Sequence, residues 1–232
     1  MEIEHIASDL FIAVGKAYGA NATVFLDGDD ALLIDGMASI TDALELRQLL
    51  DSKRVRFIIS THYFSDHLAA LKLFPEAEII AHELYAHTFN SERFRTAEEA
   101  AHFVEPTILI GDRMTLRFGR FTLELFHNPG HTMSTLGIDV AQEDLLFTAD
   151  TVVGNIVYLA YSTPSLLHSA LDRLEARGRS RIIASHGGSQ PASVIANARR
   201  YLMRLPEIDS NELSPFERIF HARNLQALSA AR

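Results

Sequence analysis

The chain has 232 residues, with 21 Lys and Arg against 30 Asp and Glu, a formal net charge of −9 and 47 % apolar residues. That composition fits a globular protein able to bury a sizeable core, and the acidic balance argues against nucleic acid or an anionic membrane surface as partner, both of which call for basic patches. With no cysteine, disulfide scaffolds, thiolate metal sites and cysteine nucleophiles are excluded.

No apolar run reaches the roughly 18 residues of a transmembrane helix. The opening MEIEHIASDL is acidic and lacks a basic stretch before an apolar run, so no export signal is expected and the cytoplasm is the expected compartment. Eleven histidines invite a functional reading.

Apolar runs and turn residues predict a strand over 11–14 and a hairpin whose strands, 22–26 and 31–34, flank Asp27-Gly28-Asp29-Asp30. Ile40, Leu44, Leu49 and Leu50 give residues 40–50 helical spacing. A buried strand over 57–59 runs into Ser60-Thr61-His62, a helix is predicted over 68–74 with its stop at Pro75, and a strand follows over 78–81. The stretch 83–103, rich in His and Glu, reads as helical or irregular. Strands over 115–118 and 121–126 meet at Gly119-Arg120, and 136–140 and 144–148 make a hairpin-like pair. A helix over 166–174, a strand over 181–184 and a helix over 192–205 complete a domain taken as 1–206. Residues 207–232 form a C-terminal helical extension with Leu213, Phe216 and Phe220 on one stripe, to pack on the domain, cover a pocket or meet a second copy of the chain. The alternation implies mixed sheets covered by helices. It leaves open whether the sheet is doubly wound or part of a layered sandwich.

Four segments place His or Asp just beyond an apolar strand. His62, Asp66 and His67 follow 57–59; His131 follows 121–126 and the turn Asn128-Pro129-Gly130; Asp150 follows 144–148; His186 follows 182–184 and precedes Gly187-Gly188. Each has an ordinary explanation alone: Asp66 as a helix cap, Asp150 and the glycines as turn residues. Together, at one sheet edge, they suit zinc or a similar divalent ion.

These segments resemble a known family. Thr61-His62-Tyr63-Phe64-Ser65-Asp66-His67 resembles the His-x-His-x-Asp-His motif of the metallo-β-lactamase superfamily, and Pro129-Gly130-His131-Thr132 matches its second ligand segment. Phe147-Thr148-Ala149-Asp150-Thr151 resembles the bridging-aspartate segment, with Ala149 for the usual Gly. Ser185-His186-Gly187 resembles the final Gly-His-Gly, and Ala31-Leu32-Leu33-Ile34-Asp35-Gly36 the early strand and its turn. The order is collinear over about residues 10–205. The resemblance implies an α/β fold, a four-layer αββα sandwich of two mixed β-sheets flanked by helices, with metals at one edge. It implies one metal position from His62, Phe64 and His131, a second from Asp66, His67 and His186, and Asp150 bridging them.

Phe64 departs from this pattern, because a phenyl ring cannot ligate a metal. The second position is complete, while the first keeps His62, His131 and shared Asp150. Three outcomes are open: two metals, since three protein ligands plus water make an open zinc site; one metal in the second position, with His62 and His131 left to carry protons; or weak binding throughout. One tightly held ion with a weaker second is favoured, because the phenyl ring dries the vacated corner and raises the cost of charge there. His82 and His127 are the candidate replacements, with a place near the pocket mouth favoured over ligation for His82.

The implied chemistry is attack of a metal-bound hydroxide on an electrophilic carbonyl. Asp66, Asp150 and His131 would be catalytic, and Zn, as one or two ions, the cofactor, with Fe or Mn as alternatives. Phe64, His82, Thr132, Tyr158 and Tyr161 are the expected substrate-side residues; Thr132 reads equally as a brace for His131 or an ordinary turn threonine. The substrate would be a small thioester, lactone or other ester-like compound. A β-lactam is disfavoured by the absent export signal and cysteine. No macromolecular partner beyond a homodimer is expected. The alternatives are a non-catalytic small-molecule binding protein and an iron-dependent redox protein, whose di-iron relatives lose the same histidine, usually to Glu. The arginines of 177–181 and 199–200 would hold an anionic substrate tail or, the favoured reading, form a solvated helix face.

Overall fold

Inner strands such as Asp30–Ile34 and Leu145–Ala149 are buried on both faces and read as near-continuous hydrophobic runs, whereas the edge strand Arg113–Phe118 alternates. The structure, a computed structural model, describes residues 1–93 and 95–230. The first sheet holds β1 (Glu2–Ala7), β2 (Leu10–Val14), β3 (Asn21–Asp27), β4 (Asp30–Ile34), β5 (Arg54–Ile59), β6 (Glu78–His82) and β7 (Ile108–Ile110) in sequence order. β1 to β4 pair antiparallel, and β4 to β7 pair parallel. The second sheet comprises β8 (Arg113–Phe118), β9 (Phe121–His127), β10 (Leu136–Val140), β11 (Leu145–Ala149), β12 (Arg181–Ala184) and β13 (Ser189–Pro191). Only β11 and β12 pair parallel there.

The two sheets face each other through Leu10, Ile12, Phe25 and Leu32 on one side and Phe121, Leu125, Ile138 and Phe147 on the other. The alternate residues Phe11, Ala13, Val24 and Leu33 face outward against helix α1 (Ile40–Leu49) and the 68–77 segment. On the opposite outer face Leu146 and Ile182 meet α4 (Pro164–Glu175) and α5 (Ser193–Arg204). Short helices α2 (Tyr85–Ser91) and α3 (Ala97–Ala100) lie between β6 and β7. This is the expected four-layer αββα sandwich.

The sequence expectation fails at 68–74. That stretch holds only a 3-10 turn at Leu71–Leu73, after another at Ser65–His67. The amides of Ala69 and Ala70 donate to the carbonyls of Met37 and Gly36, at 3.2 and 2.7 Å. Those two amides would be first-turn orphans in a helix over 68–74, and the tertiary carbonyls satisfy them. Beyond them Leu71 N and Leu73 N bond three residues back, to Leu68 O at 3.0 Å and Ala70 O at 2.9 Å, which closes a 3-10 turn in place of an α-helix. Strands β1, β7 and β13 also lie outside the sequence expectation; β1 and β13 edge the sheets and carry few buried residues.

The C-terminal helix α6 (Pro215–Ala230) packs on its own domain. Its Asn224, fully buried, accepts from Leu159 N at 2.6 Å and donates to Val157 O at 2.7 Å and Tyr201 Oη at 3.0 Å. Glu217 accepts from Asn155 N at 2.7 Å and Ser214 N at 2.9 Å. These bonds fasten the helix to the 152–161 loop that follows Asp150. No helix among the described residues is long and apolar enough to cross a membrane.

Candidate metal centre

Strand direction brings the ligands together. In parallel β4, β5 and β6, the C-terminal ends carry Asp35, His62 and His82; those of β11 and β12 carry Asp150 and His186. β9 runs parallel to β11 across the shared neighbour β10, so the β9–β10 loop delivers His131 to the same edge. The sheets are joined there. Asn21 Nδ2 donates to the carbonyls of Ala184 at 2.8 Å and Gly187 at 2.7 Å, and Leu136 N donates to Thr61 O at 2.7 Å.

Asp35 organises this edge from beneath. It accepts from Thr61 N, Thr61 Oγ1 and Ser185 Oγ, each at 2.8 Å, and so ties the residues before His62 and His186 to one carboxylate. Burial raises its pKa in spite of these donors and the charge of nearby His67. Gly130 sits where a Cβ would lie 2.5 Å from Ala170 Cβ, so α4 packs directly against the His131 loop only because that residue has no side chain. Ala149 adopts φ 50°, left-handed backbone that costs a β-substituted residue about 1–2 kcal/mol, at the bulge that leads into Asp150.

The ligating atoms of Asp66, His67, Asp150 and His186 all lie within 4.8 Å of one another, as do those of His62, His131 and Asp150. His186 Nε2 is 3.1 Å from Asp150 Oδ2 and 3.8 Å from Asp66 Oδ2; His67 Nε2 is 3.4 Å from Asp66 Oδ1 and 3.7 Å from Asp150 Oδ2. His62 Nδ1 contacts Thr61 Oγ1 at 3.1 Å, His131 Nδ1 the Tyr158 carbonyl at 3.4 Å and His186 Nδ1 the Tyr18 carbonyl at 3.0 Å. Such bonds fix ring orientation and leave Nε2 as the ligating atom. Buried His62 Nε2, His131 Nε2, both nitrogens of His67 and Asp150 Oδ1 have no hydrogen-bond partner among the described residues. Buried polar atoms are rarely left so, and a cation is what this donor set fits.

The electrostatics agree. Burial opposes charge on His67, but the carboxylates of Asp66, Asp150 and Asp35 outweigh it and push the imidazole up to about 10. Burial likewise works against charge on His186, and Asp150 overrides it to raise that ring. Burial would raise Asp150, yet His186 and His67 hold it well below the usual carboxylate range. His62, by contrast, lies well below the ordinary imidazole value through burial and the charge of His67, and burial also lowers His131. The carboxylates therefore draw positive charge into the Asp66, His67, Asp150 and His186 group.

A cavity of about 140 Å³ opens on this edge, well above the roughly 10–15 Å³ that one water needs. Asp66, Asp150 and His186 reach it, and Phe64, Tyr158 and Tyr161 line it. The remaining wall includes Glu92 and, from α6, Phe216, Ile219, Phe220 and Arg223. Phe64 stands edge-on to His62, His131 and Tyr161, with ring centroids 5.4, 5.3 and 4.6 Å apart. It packs beside both imidazoles and is 4 % exposed.

Two residues expected on the substrate side do not line this cavity. His82 stacks on His127, centroids 3.9 Å apart, and accepts from Leu84 N at 3.1 Å. Neither ring belongs to the ligand groups. Thr132 shares a hydrogen bond with Thr135 Oγ1 at 2.9 Å and shapes the turn after His131. Sequence reasoning missed Arg223, Ile219 and Glu92, although the Phe216 and Phe220 stripe signalled the helix face that carries the first two. The arginine-rich stretch 177–181 is partly tied down: Arg179 Nε donates to Asp139 Oδ1 at 2.7 Å.

The sequence profile described as the metallo-beta-lactamase superfamily matches residues 15–186. The chain belongs to that superfamily. The metallo-beta-lactamase of Pontibacter korlensis superposes with TM-score 0.73 at 20 % identity, over 87 % of this chain and 98 % of that one. VMB-1 at pH 5.5 gives TM-score 0.69 at 14 % identity, and DIM-1 gives 0.70 at 17 %, each over 87 % of this chain and 96 % of theirs. No curated protein sequence matches. Superfamily membership and the two ligand groups together mark the protein as a candidate metal-dependent hydrolase.

Proposed function

We propose that this metallo-beta-lactamase superfamily protein hydrolyses a small ester-like substrate, a thioester or lactone, with one zinc ion held tightly by Asp66, His67, Asp150 and His186 and a second held more weakly by His62, His131 and Asp150. The observation that carries this reading is the set of buried imidazole and carboxylate atoms with no hydrogen-bond partner among the described residues, in two groups of which Asp66, Asp150 and His186 reach an aromatic cavity. A divalent ion there supplies Lewis acidity toward an acyl oxygen and lowers the pKa of a water to near neutral.

The chain's own groups do the remaining work. Asp150 is buried, anionic and shared by both ligand groups, so it orients whatever they hold. The Asp66 side chain is 28 % exposed and faces the cavity, so its carboxylate is placed to take the proton that the attacking water gives up and to pass it to the departing oxygen or sulfur. Tyr158 Oη lies 3.3 Å from Arg223 Nη1 on the cavity wall. That pair offers N–H and O–H donors to the acyl portion of the substrate. Phe64, Tyr161, Phe216 and Phe220 keep the space dry, which strengthens these interactions.

The test is metal content per chain in protein purified without chelator, followed by turnover of a panel of thioesters, lactones and one β-lactam. Zinc at about one equivalent or more, with turnover abolished by chelation and by Asp150→Asn, is the expected result. Turnover that survives both would refute the metal mechanism. Zinc without turnover of any acyl compound would favour the small-molecule binding protein; iron with oxygen consumption would favour redox chemistry.

A further inference from the structure

A second cavity, about 550 Å³, lies between the β7–β8 turn, the end of β9 and the last turns of α4. Arg113, His127, Arg173 and Arg177 line it, against Asp112 as the one lining carboxylate among the described residues. In a chain of net charge −9 this is a local reversal of sign.

The three guanidiniums differ in what already occupies them. Among the described residues Arg173 bonds only neutral acceptors, Asn128 Oδ1 at 2.8 Å and Pro129 O at 2.5 Å. Those bonds set the direction of its fork without neutralising it, and neighbouring Asp172 pairs with Arg199 at 2.8 Å. Arg177 lies over the Phe126 ring, 4.0 Å from its centroid, and reaches Glu124 at 3.3 Å and Asp139 at 3.5 Å. Asp139 makes its closer bond to Arg179, at 2.7 Å. The exposed side chain of Arg113 has no hydrogen-bond or ion-pair partner among the described residues. His127 is fixed beside them by contact with Met133 O at 2.8 Å and by stacking on His82.

A lone carboxylate ligand needs one guanidinium fork. Several planar forks around one space match the oxygens of a phosphate group, which accepts from different directions at once. We propose that this groove binds a phosphate-bearing small molecule, with the phosphate held by Arg113, Arg173 and Arg177 and the carbon portion in the remaining volume. The site is separate from the metal-lined cavity but not unconnected to it. Arg173 also braces the Asn128-Pro129 segment that leads through Gly130 to His131, so the anion would bear on a guanidinium that supports the His131 loop.

Calorimetric titration with inorganic phosphate, at ionic strength held constant with chloride, tests this. The wild-type chain is expected to bind saturably. Arg113→Ala is expected to weaken binding about tenfold, the loss of one charge-assisted hydrogen bond, and Arg113→Ala with Arg177→Ala to weaken it further. Asp150→Asn is expected to leave it unchanged. Absence of saturable binding by the wild type, binding retained in both arginine variants, or binding lost in Asp150→Asn, which would put the phosphate on the metal centre, each overturns the proposal. Arg113 is exposed, so its variant tests the site without disturbing the core.

Discussion

Replacing Asn224 with Leu isolates the contribution of the C-terminal helix to the cavity. The substitution removes the polar atoms and leaves no hole, so the cost is that of stranded partners. Leu159 N, in a residue 2 % exposed, and Val157 O, in a fully buried one, both lose their side-chain partner. Tyr201 Oη keeps His221 Nδ1 at 2.8 Å. Two stranded groups at about 1–3 kcal/mol each give about 2–6 kcal/mol, a large share of the roughly 5–15 kcal/mol that holds a domain folded. The damage should concentrate where those bonds act. Hydrogen exchange is expected to speed first in residues 157–161 and 216–228, urea denaturation to show at least about 2 kcal/mol lost, and turnover to fall with metal content unchanged. A loss under about 0.5 kcal/mol, within the range of an ordinary surface change, would refute the claim that Asn224 fastens the helix. Metal loss with the helix still protected would show that the bonds serve the metal centre instead.

Phe64→His restores a nitrogen beside His62 and His131, and metal analysis is expected to show a firmer second equivalent; unchanged stoichiometry and affinity would mean that Phe64 is not what weakens that position. Gly130→Ala drives a Cβ to within 2.5 Å of Ala170 Cβ and is expected to cost about 1–3 kcal/mol in thermal or urea unfolding, the usual penalty of overpacking, together with metal affinity through His131. Burial and the adjacent His127 depress His82 to about 4, below its unfolded value, so the unfolded state binds more protons between about pH 6.5 and pH 4. Stability should therefore fall as pH drops through that window, by at most about 1.4 kcal/mol per unit from this group. An NMR titration should place the His82 midpoint near the lower end and show it rise in His127→Gln; a midpoint unmoved by that substitution would refute the coupling.

Much of the candidate ligand set is legible in the sequence because each of its residues is local to a strand end. His62, Asp66 and His67 share one turn after β5, and the segments of His131, Asp150 and His186 each carry their own glycine or turn residues. The strands are legible for a similar reason: burial on both faces makes continuous apolar runs, as in Leu32, Leu33 and Ile34 of β4. What the sequence could not reveal depended on partners far along the chain. The 68–74 stretch has apolar spacing suited to a helix, yet it closes into a 3-10 turn whose entry is held by the carbonyls of Gly36 and Met37. The apolar pattern rightly places His82 at a strand end, but only the packing of the two sheets stacks it on His127 rather than turning it to the cavity. The α6 stripe announced an apolar face without naming its destination. Asn224 and Glu217, whose value lies largely in the 152–161 loop they reach, set that face over His186. By itself the short-range pattern of the sequence determined the donor chemistry and mixed sheets covered by helices, and the family resemblance added the four layers; the walls of the cavity were decided by tertiary structure, because a hydrogen bond such as that between Leu159 and Asn224, 65 positions apart, leaves no periodic trace in either segment.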